Sequence, residues 1–354
     1  MTYVLERCFG LVEYEDVRNI REYLRSRIHS SINGWIKKTA AKFGYRDYMI
    51  ARYLEILGSR SEVIELLNAF EKSLKPSIRC NTLKVNDCRI LHDRLSSLGY
   101  LLKPIEWEPT SFIIEKIGSP PPGATHEFLL GMYYLYRGSA SLIPPLILRP
   151  DLHDIVLDMA AAPGGKTTHL AQIMRNKGLI VAVDVSKARM RALRSNLERL
   201  GVRNVLTLRV DGVKIPEIFG ECFNKVLLDA PCTAEGLIQV DKSRKTRTSL
   251  SDLLTAREKQ VKLLLAALDS VKSGGVVLYT TCSIAPEENE LVISEVLSRR
   301  NNVRVEQLSE PVNFREGITE YFGIRLFGEV RFCGRLYPHI HSMEGFFLCL
   351  LRKY

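Results

Sequence analysis

A chain of 354 residues, 46% hydrophobic and with a formal charge of +10, is long enough for one large core plus a smaller one. The positive excess favours an anionic partner, and since no run approaches the ~20 apolar residues of a membrane span, nucleic acid is expected ahead of a membrane. Eight cysteines with no Cys-x-x-Cys pair and no regular spacing argue against a zinc ribbon or a secreted disulfide scaffold.

No metal is expected on these grounds. Cys8, Cys80, Cys88, Cys222, Cys333 and Cys349 read as plain core residues. Residues 1–7 lack a signal-peptide pattern, so an intracellular, cytoplasmic protein is expected. Residues 1–75 are helical in pattern, with Ile20, Tyr23, Leu24, Ile28 and Ile32 recurring at steps of three and four. Between Arg18 and Arg52 there are nine basic residues and two acidic ones, which reads as a phosphate-contacting surface in preference to a solvated helix face. A small α+β unit is expected over 76–128, from a strand at 78–85, a helix at 90–98 and a strand at 111–116, closed by the break Pro120-Pro121-Pro122-Gly123.

From 129 to 354 short apolar strands alternate with helical segments, the pattern of a mostly parallel sheet covered on both faces. Strands are expected at 155–159, 179–185, 205–210, 225–230, 276–281 and 346–351, and helices at 167–174, 187–200 and 254–271. In such sheets ligands lie beyond the carboxyl ends of the strands, and those positions here carry acids, a small-residue loop and thiols. The loop Ala160-Ala161-Ala162-Pro163-Gly164-Gly165-Lys166 offers close backbone approach and a helix N-terminus. Asp184 is placed to accept hydrogen bonds from ribose hydroxyls, and Asp211 to face an adenine amino group. Gly165-Lys166-Thr167 ends like a phosphate-binding loop, but Ala160 stands where that motif needs its first glycine, and Gly-x-Gly-x-x-Gly is absent. S-adenosylmethionine fits the remaining pattern.

Cys232, in Asp229-Ala230-Pro231-Cys232, and Cys282, in Thr281-Cys282-Ser283, each follow an apolar strand. Carbon 5 of cytosine is a poor nucleophile until a thiolate adds to carbon 6, and a second thiol can then help remove the carbon-5 proton and the thioether. Asp229 can bond ring N3 and the exocyclic amine, and Lys166 can hold Asp229 ionised or touch the adduct.

These residues resemble the NOL1/NOP2/Sun family of RNA 5-methylcytosine methyltransferases. The resemblance runs from about residue 76 to the C-terminus and rests on residues 158–167, Asp229-Ala230-Pro231-Cys232, Thr281-Cys282-Ser283 with Pro286-Glu287-Glu288-Asn289-Glu290, and Gly345-Phe346-Phe347. It implies a Rossmann-like class I methyltransferase domain with a seven-stranded sheet, preceded by a helical region and an RNA-binding unit that includes residues 78–84. Carried over, Cys282 is the nucleophile, Cys232 releases the product, and Asp229 orients the base. Residues 160–166, Asp184, Arg189, Asp211 and Asp229 then bind S-adenosylmethionine, and the partner is ribosomal or transfer RNA. Tyr136, Arg137, Thr233, Ala234 and Gln239 depart from the family pattern and bear on the RNA path. Residues 242–247 read either as a compensating phosphate contact or as an ordinary solvated loop. Two rivals remain open: a DNA cytosine-C5 methyltransferase with Cys232 as nucleophile, and an RNA scaffold that has lost turnover.

Overall fold

The computed structural model describes residues 11–308 and 310–354. Four helices come first: α1 (Ile20–Ser31), α2 (Gly34–Phe43), α3 (Asp47–Leu57) and α4 (Arg60–Glu71). Asn19, Asn33 and Ser59 cap the free amides of α1, α2 and α4, and Gly44 ends α2 in the left-handed conformation at φ 74°. The apolar faces of these helices, among them Leu24, Ile36, Ile50 and Phe70, join the same core as the sheet residues Leu157, Val226 and Val277. The helical region is therefore part of the main body.

The small unit contains β1 (Ser77–Cys80), α5 (Cys88–Ser97), β2 (Leu101–Ile105), β3 (Glu108–Lys116) and β4 (Tyr133–Tyr136). Its antiparallel sheet runs β2-β3-β1-β4. β1 is shorter than expected because the chain turns at Asn81. Strands β2 and β4 carry no clean alternation and were not expected. β4 also lies past the boundary expected at residue 128, so the small sheet draws on residues assigned to the following domain.

The large sheet contains β5 (Ile155–Met159), β6 (Leu179–Val183), β7 (Val205–Leu208), β8 (Phe223–Asp229), β9 (Val271–Thr281), β10 (Val303–Glu306), β11 (Gly334–Leu336) and β12 (Phe346–Lys353). Strands β7-β6-β5-β8-β9 are parallel, β12 pairs antiparallel with β9, and β10 and β11 share the far edge of β12. The six strands expected by residue are β5 to β9 and β12; β10, at 303–306, was not among them and brings the count to the seven that the resemblance implies, and β11 and Arg315–Glu316 extend the sheet. Its covering helices include α6 (Gly165–Ile173), α7 (Lys187–Leu200) and α8 (Leu250–Ser270), the last begun by a Ser249/Asp252 capping box. Strand order reverses at β5, where β6 lies on one side and β8 on the other, and this opens a crevice beyond the strand ends.

The reading of six cysteines as plain core residues is corrected for four. Cys80 is disulfide-bonded to Cys88 and Cys333 to Cys349. Gly334 pairs with Leu348 across β11 and β12, and that antiparallel register sets Cys333 opposite Cys349. Cys222 is free and half-buried, while Cys8 lies outside the described residues. No described helix is long and apolar enough to cross a membrane.

Candidate active site

The loop from β5 into α6 turns through Ala160 (φ 112°) and Gly164 (φ 104°). A Cβ on Gly164 would lie 2.7 Å from Leu193 Cδ1, so its bare backbone serves the packing of α7. A Cβ on Gly165 would meet the rings of Tyr136 and Tyr134 at 3.0 and 3.1 Å, so this glycine makes room for the two tyrosines of β4. Arg79 of β1 is buried between those rings and donates to Tyr136 Oη at 2.7 Å, Gly165 O at 3.2 Å and Thr168 Oγ1 at 3.0 Å. Tyr136 Oη also donates to Gly165 O at 2.8 Å. The small unit thus grips the first turn of α6 from outside.

A cavity of about 430 Å³ opens at this point. Its lining includes Ala160, Ala161, Ala162, Pro163, Gly165, Lys166, Arg189, Asp229 and Cys282, together with Tyr134, Tyr136, Arg137, Glu344 and Phe346. The Lys166 ammonium lies 2.6 Å from Asp229 Oδ2, and Thr280 donates to the other carboxylate oxygen at 3.0 Å. Burial works against the Lys166 charge, yet Asp229 more than offsets it and the Lys166 pKa rises. Cys282 faces the cavity, and the Cys232 sulfur sits behind it with Sγ–Sγ 3.2 Å. The sulfur–sulfur hydrogen bond, then burial, push the Cys232 thiol well above an ordinary thiol, so Cys232 keeps its proton.

Asp184 is buried beside the cavity. Its Oδ1 accepts the Ser186 N–H at 2.9 Å, and Oδ2, 3.4 Å from Arg189 Nη1, has no hydrogen-bond partner. Asp158 accepts from Thr167 Oγ1 at 2.6 Å and keeps Oδ1 buried and unpartnered. Asp211 is exposed, outside the cavity lining, and its carboxylate caps the turn at Val213 N–H at 3.1 Å. The sequence reading missed Glu344 and Phe346 as cavity residues. Phe346 carries the Lys166 ammonium 5.5 Å from its ring centroid, and its place next to Gly345 at the start of β12 is the signal that points to it.

Burial raises the Asp158 carboxyl to about 7, against the lowering effect of the Thr167 hydrogen bond. The native state therefore holds this proton over a range where the unfolded chain has released it. Its stabilising contribution is complete below about pH 4 and lost as the pH rises through about 7. The expected result is that between pH 4 and 7 the melting temperature falls more, or rises less, in the wild type than in Asp158→Asn; equal slopes in the two proteins would refute it.

Several basic residues read as phosphate contacts are instead internal partners. Arg52 is fully buried. Lys242 and Lys245 pair with Glu71, Arg244 donates to Thr233 O at 2.5 Å, and Arg247 pairs with Asp241, so 242–247 is pinned onto the fold. Gln239 donates to Ala69 O at 3.2 Å. Asn81 and Lys84, expected to meet RNA, donate to Leu200 O at 2.8 Å and Arg199 O at 2.7 Å and tie the small unit to α7.

Residues 145–352 match the model for 16S rRNA methyltransferase RsmB/F, and 47–136 match the N-terminal domain of 16S rRNA methyltransferase RsmF. The chain belongs to the RsmB/F methyltransferase family. It is 37% identical over 98% of its length to a human 28S rRNA (cytosine(4447)-C(5))-methyltransferase, of which it spans 42%. It is 36% identical to a tRNA (cytosine(49)-C(5))-methyltransferase of Pyrococcus abyssi, over 80% of this chain and 89% of that one. A methyltransferase homologue from Pyrococcus horikoshii superposes with a TM-score of 0.80 at 37% identity, covering 91% of this chain and all of that one. The chain spans less than half the length of the human relative but nearly all of the archaeal one. The family match agrees with the resemblance seen in the sequence motifs.

Proposed function

We propose that this protein methylates carbon 5 of cytosine in ribosomal or transfer RNA, taking the methyl group from S-adenosylmethionine and working through a covalent link between Cys282 and carbon 6. The observation that carries the reading is the sulfur pair: Cys282 faces the cavity, and a protonated Cys232 stands 3.2 Å behind it. The names of both relatives, one acting on rRNA and one on tRNA, support the RNA substrate.

The cofactor fits the donor set. The backbone of residues 160–165 and the first turn of α6 suit a carboxylate. The unpartnered Oδ2 of Asp184 suits a ribose hydroxyl, and Arg189 would flank it. When bound, S-adenosylmethionine supplies an electrophilic methyl group on a sulfonium. Asp211 caps its turn through Oδ1 alone, and its Oδ2 suits an adenine amino group.

Cys282, as thiolate, forms the S–C6 bond, and the electron pair of the C5–C6 double bond moves to carbon 5. Asp229, whose Oδ2 accepts from the Lys166 ammonium at 2.6 Å, orients the base by accepting from the exocyclic amine. Carbon 5 takes the methyl group; with Cys282 tied up in the S–C6 bond, Cys232 gives its own proton to solvent and then takes the carbon-5 proton, and the S–C6 bond breaks to return the Cys282 thiolate. A paired base hides carbon 6, so the target is a loop nucleotide or one flipped out, at a cost of a few kcal/mol.

The test uses tritiated S-adenosylmethionine with total rRNA, total tRNA and duplex DNA, followed by bisulfite sequencing of the labelled RNA. Label at carbon 5 of cytosine in RNA is the expected result. Cofactor binding without transfer to any nucleic acid would favour an RNA scaffold, and label in DNA alone would overturn the RNA assignment.

A further inference from the structure

A second cavity, of about 630 Å³, lies away from the cysteines, between the small unit and the amino ends of β6 and β7. Thr82, Leu83 and Lys84 form one wall; Gln172, Arg175, Asn176, Gly201 and Arg203 form the other. Arg175 and Arg203 are exposed, and neither guanidinium makes an ion pair or hydrogen bond with the described residues. Lys84 and residues 242–247, by contrast, spend their donors on internal acceptors.

The walls are built, not loose. Asn176 donates to Gly201 O at 3.0 Å and accepts from the Arg203 N–H at 3.0 Å, which fixes the two arginine-bearing loops to one another. Asn204 donates to Lys177 O at 2.7 Å and closes the same junction. Gln172, 7% exposed, lines the cleft with its amide oxygen buried and without a hydrogen-bond partner. Two exposed guanidiniums on tied loops beside an unsatisfied amide match a ribose phosphate: the guanidiniums suit phosphodiester oxygens, and the amide oxygen, once the Gln172 side chain turns into the cleft, suits a 2′-hydroxyl, which DNA lacks.

The cleft is also at a useful distance from the chemistry. Gly165 and Lys166 at one end of α6 line the active cavity, and Gln172 near its other end lines the cleft. Seven residues of helix span ~10 Å, a separation that a few nucleotides of one RNA strand can bridge.

We infer that the Arg175, Arg203 and Gln172 cleft is a second RNA subsite that holds the ribose-phosphate backbone a few nucleotides from the target cytosine. The inference rests on the RNA reading above for the class of ligand. It assigns these residues to substrate grip and leaves cofactor binding to the other end of α6.

The experiment measures binding of a 30-nucleotide RNA stem-loop with a cytosine-rich loop, and of the DNA of the same sequence, by fluorescence anisotropy between 50 and 300 mM salt. Arg175→Glu with Arg203→Glu is expected to weaken RNA binding at least tenfold and to lower the slope of log K against log salt by ~1.4 to 1.8, the loss of two phosphate contacts. The milder Arg175→Gln with Arg203→Gln should move both in the same direction by less, and S-adenosylmethionine binding should stay unchanged in each. Gln172→Ala should reduce the ratio of RNA to DNA affinity, a readout indifferent to the fraction of folded protein. Unchanged affinity and slope in the arginine variants would overturn the cleft, even if the wild type methylates RNA. A wild type that binds no RNA would overturn the RNA reading itself.

Discussion

Incubated with RNA and S-adenosylmethionine, Cys232→Ala should accumulate a protein–RNA band that survives denaturing electrophoresis, while Cys282→Ala should give none. The difference follows from the positions of two sulfurs 3.2 Å apart, of which Cys282 faces the cavity. Removing Cys282 takes away the bond to carbon 6, so methyl transfer falls to background. Removing Cys232 leaves the attack intact and withdraws the group next to the leaving carbon-5 proton, a general acid–base loss of about 10²- to 10⁴-fold in turnover. Attack then outruns release and the adduct builds up. The opposite pattern, a trapped band in Cys282→Ala, would make Cys232 the nucleophile and favour the DNA-type chemistry. Serine at position 232 sharpens the test, because it restores a hydrogen-bond donor of similar shape. Partial rescue of release by Cys232→Ser, with the adduct fading over time, would assign Cys232 a proton-handling role in place of simple packing.

The strands around these sulfurs were legible because each is a short apolar run ended by a turn-forming or charged residue. Expected and observed bounds coincide for 155–159, and differ by a few residues for β6, β7, β8, β9 and β12. β2 was hidden because Leu101 and Lys103 face solvent and Pro104 interrupts it; β4 because it lies beyond the proline break and pairs with β1 some fifty residues earlier. The Cys333–Cys349 disulfide depends on tertiary register, which no local pattern records. Charge counting failed for a similar reason. It recorded that Arg52, Lys242 and Lys245 were basic, but their carboxylate partners are far away in the chain. The sequence motifs did place residues 160–166, Asp229 and both thiols at one edge of the sheet, since each lies at a strand end, in the turn after it or in the first turn of the following helix, and that placement follows from sheet topology alone.

Arg52→Met should destabilise the protein by about 3 to 5 kcal/mol, the cost of leaving buried carboxylates without their cation. Arg52, on α3, donates to Glu235 Oε2 at 3.0 Å and to Glu287 Oε2 at 3.2 Å, and all three side chains are buried. Tyr321 donates to Glu287 Oε1 at 2.8 Å and completes the group. Glu235 lies three residues after Cys232 and Glu287 five after Cys282, so this one guanidinium draws together the two turns that follow the thiols. The helical region thereby acquires a second task beside any RNA contact by Arg18, Arg25, Lys37 and Lys38, which remain exposed. Loss of Arg52 should lower the urea midpoint and, in the fraction that stays folded, slow formation of the Cys282 adduct, because repulsion between the two carboxylates parts the turns. Arg52→Met combined with Glu235→Gln and Glu287→Gln removes the charges as a set, and stability should return towards the wild type, since a buried ion cluster often yields little net stability against neutral side chains. If the triple variant is as unstable as Arg52→Met alone, the defect is lost packing around α3 and the electrostatic account fails. If stability returns while adduct formation stays slow, the charges themselves hold the sulfurs in register, and Arg52 is a positioning residue for the pair.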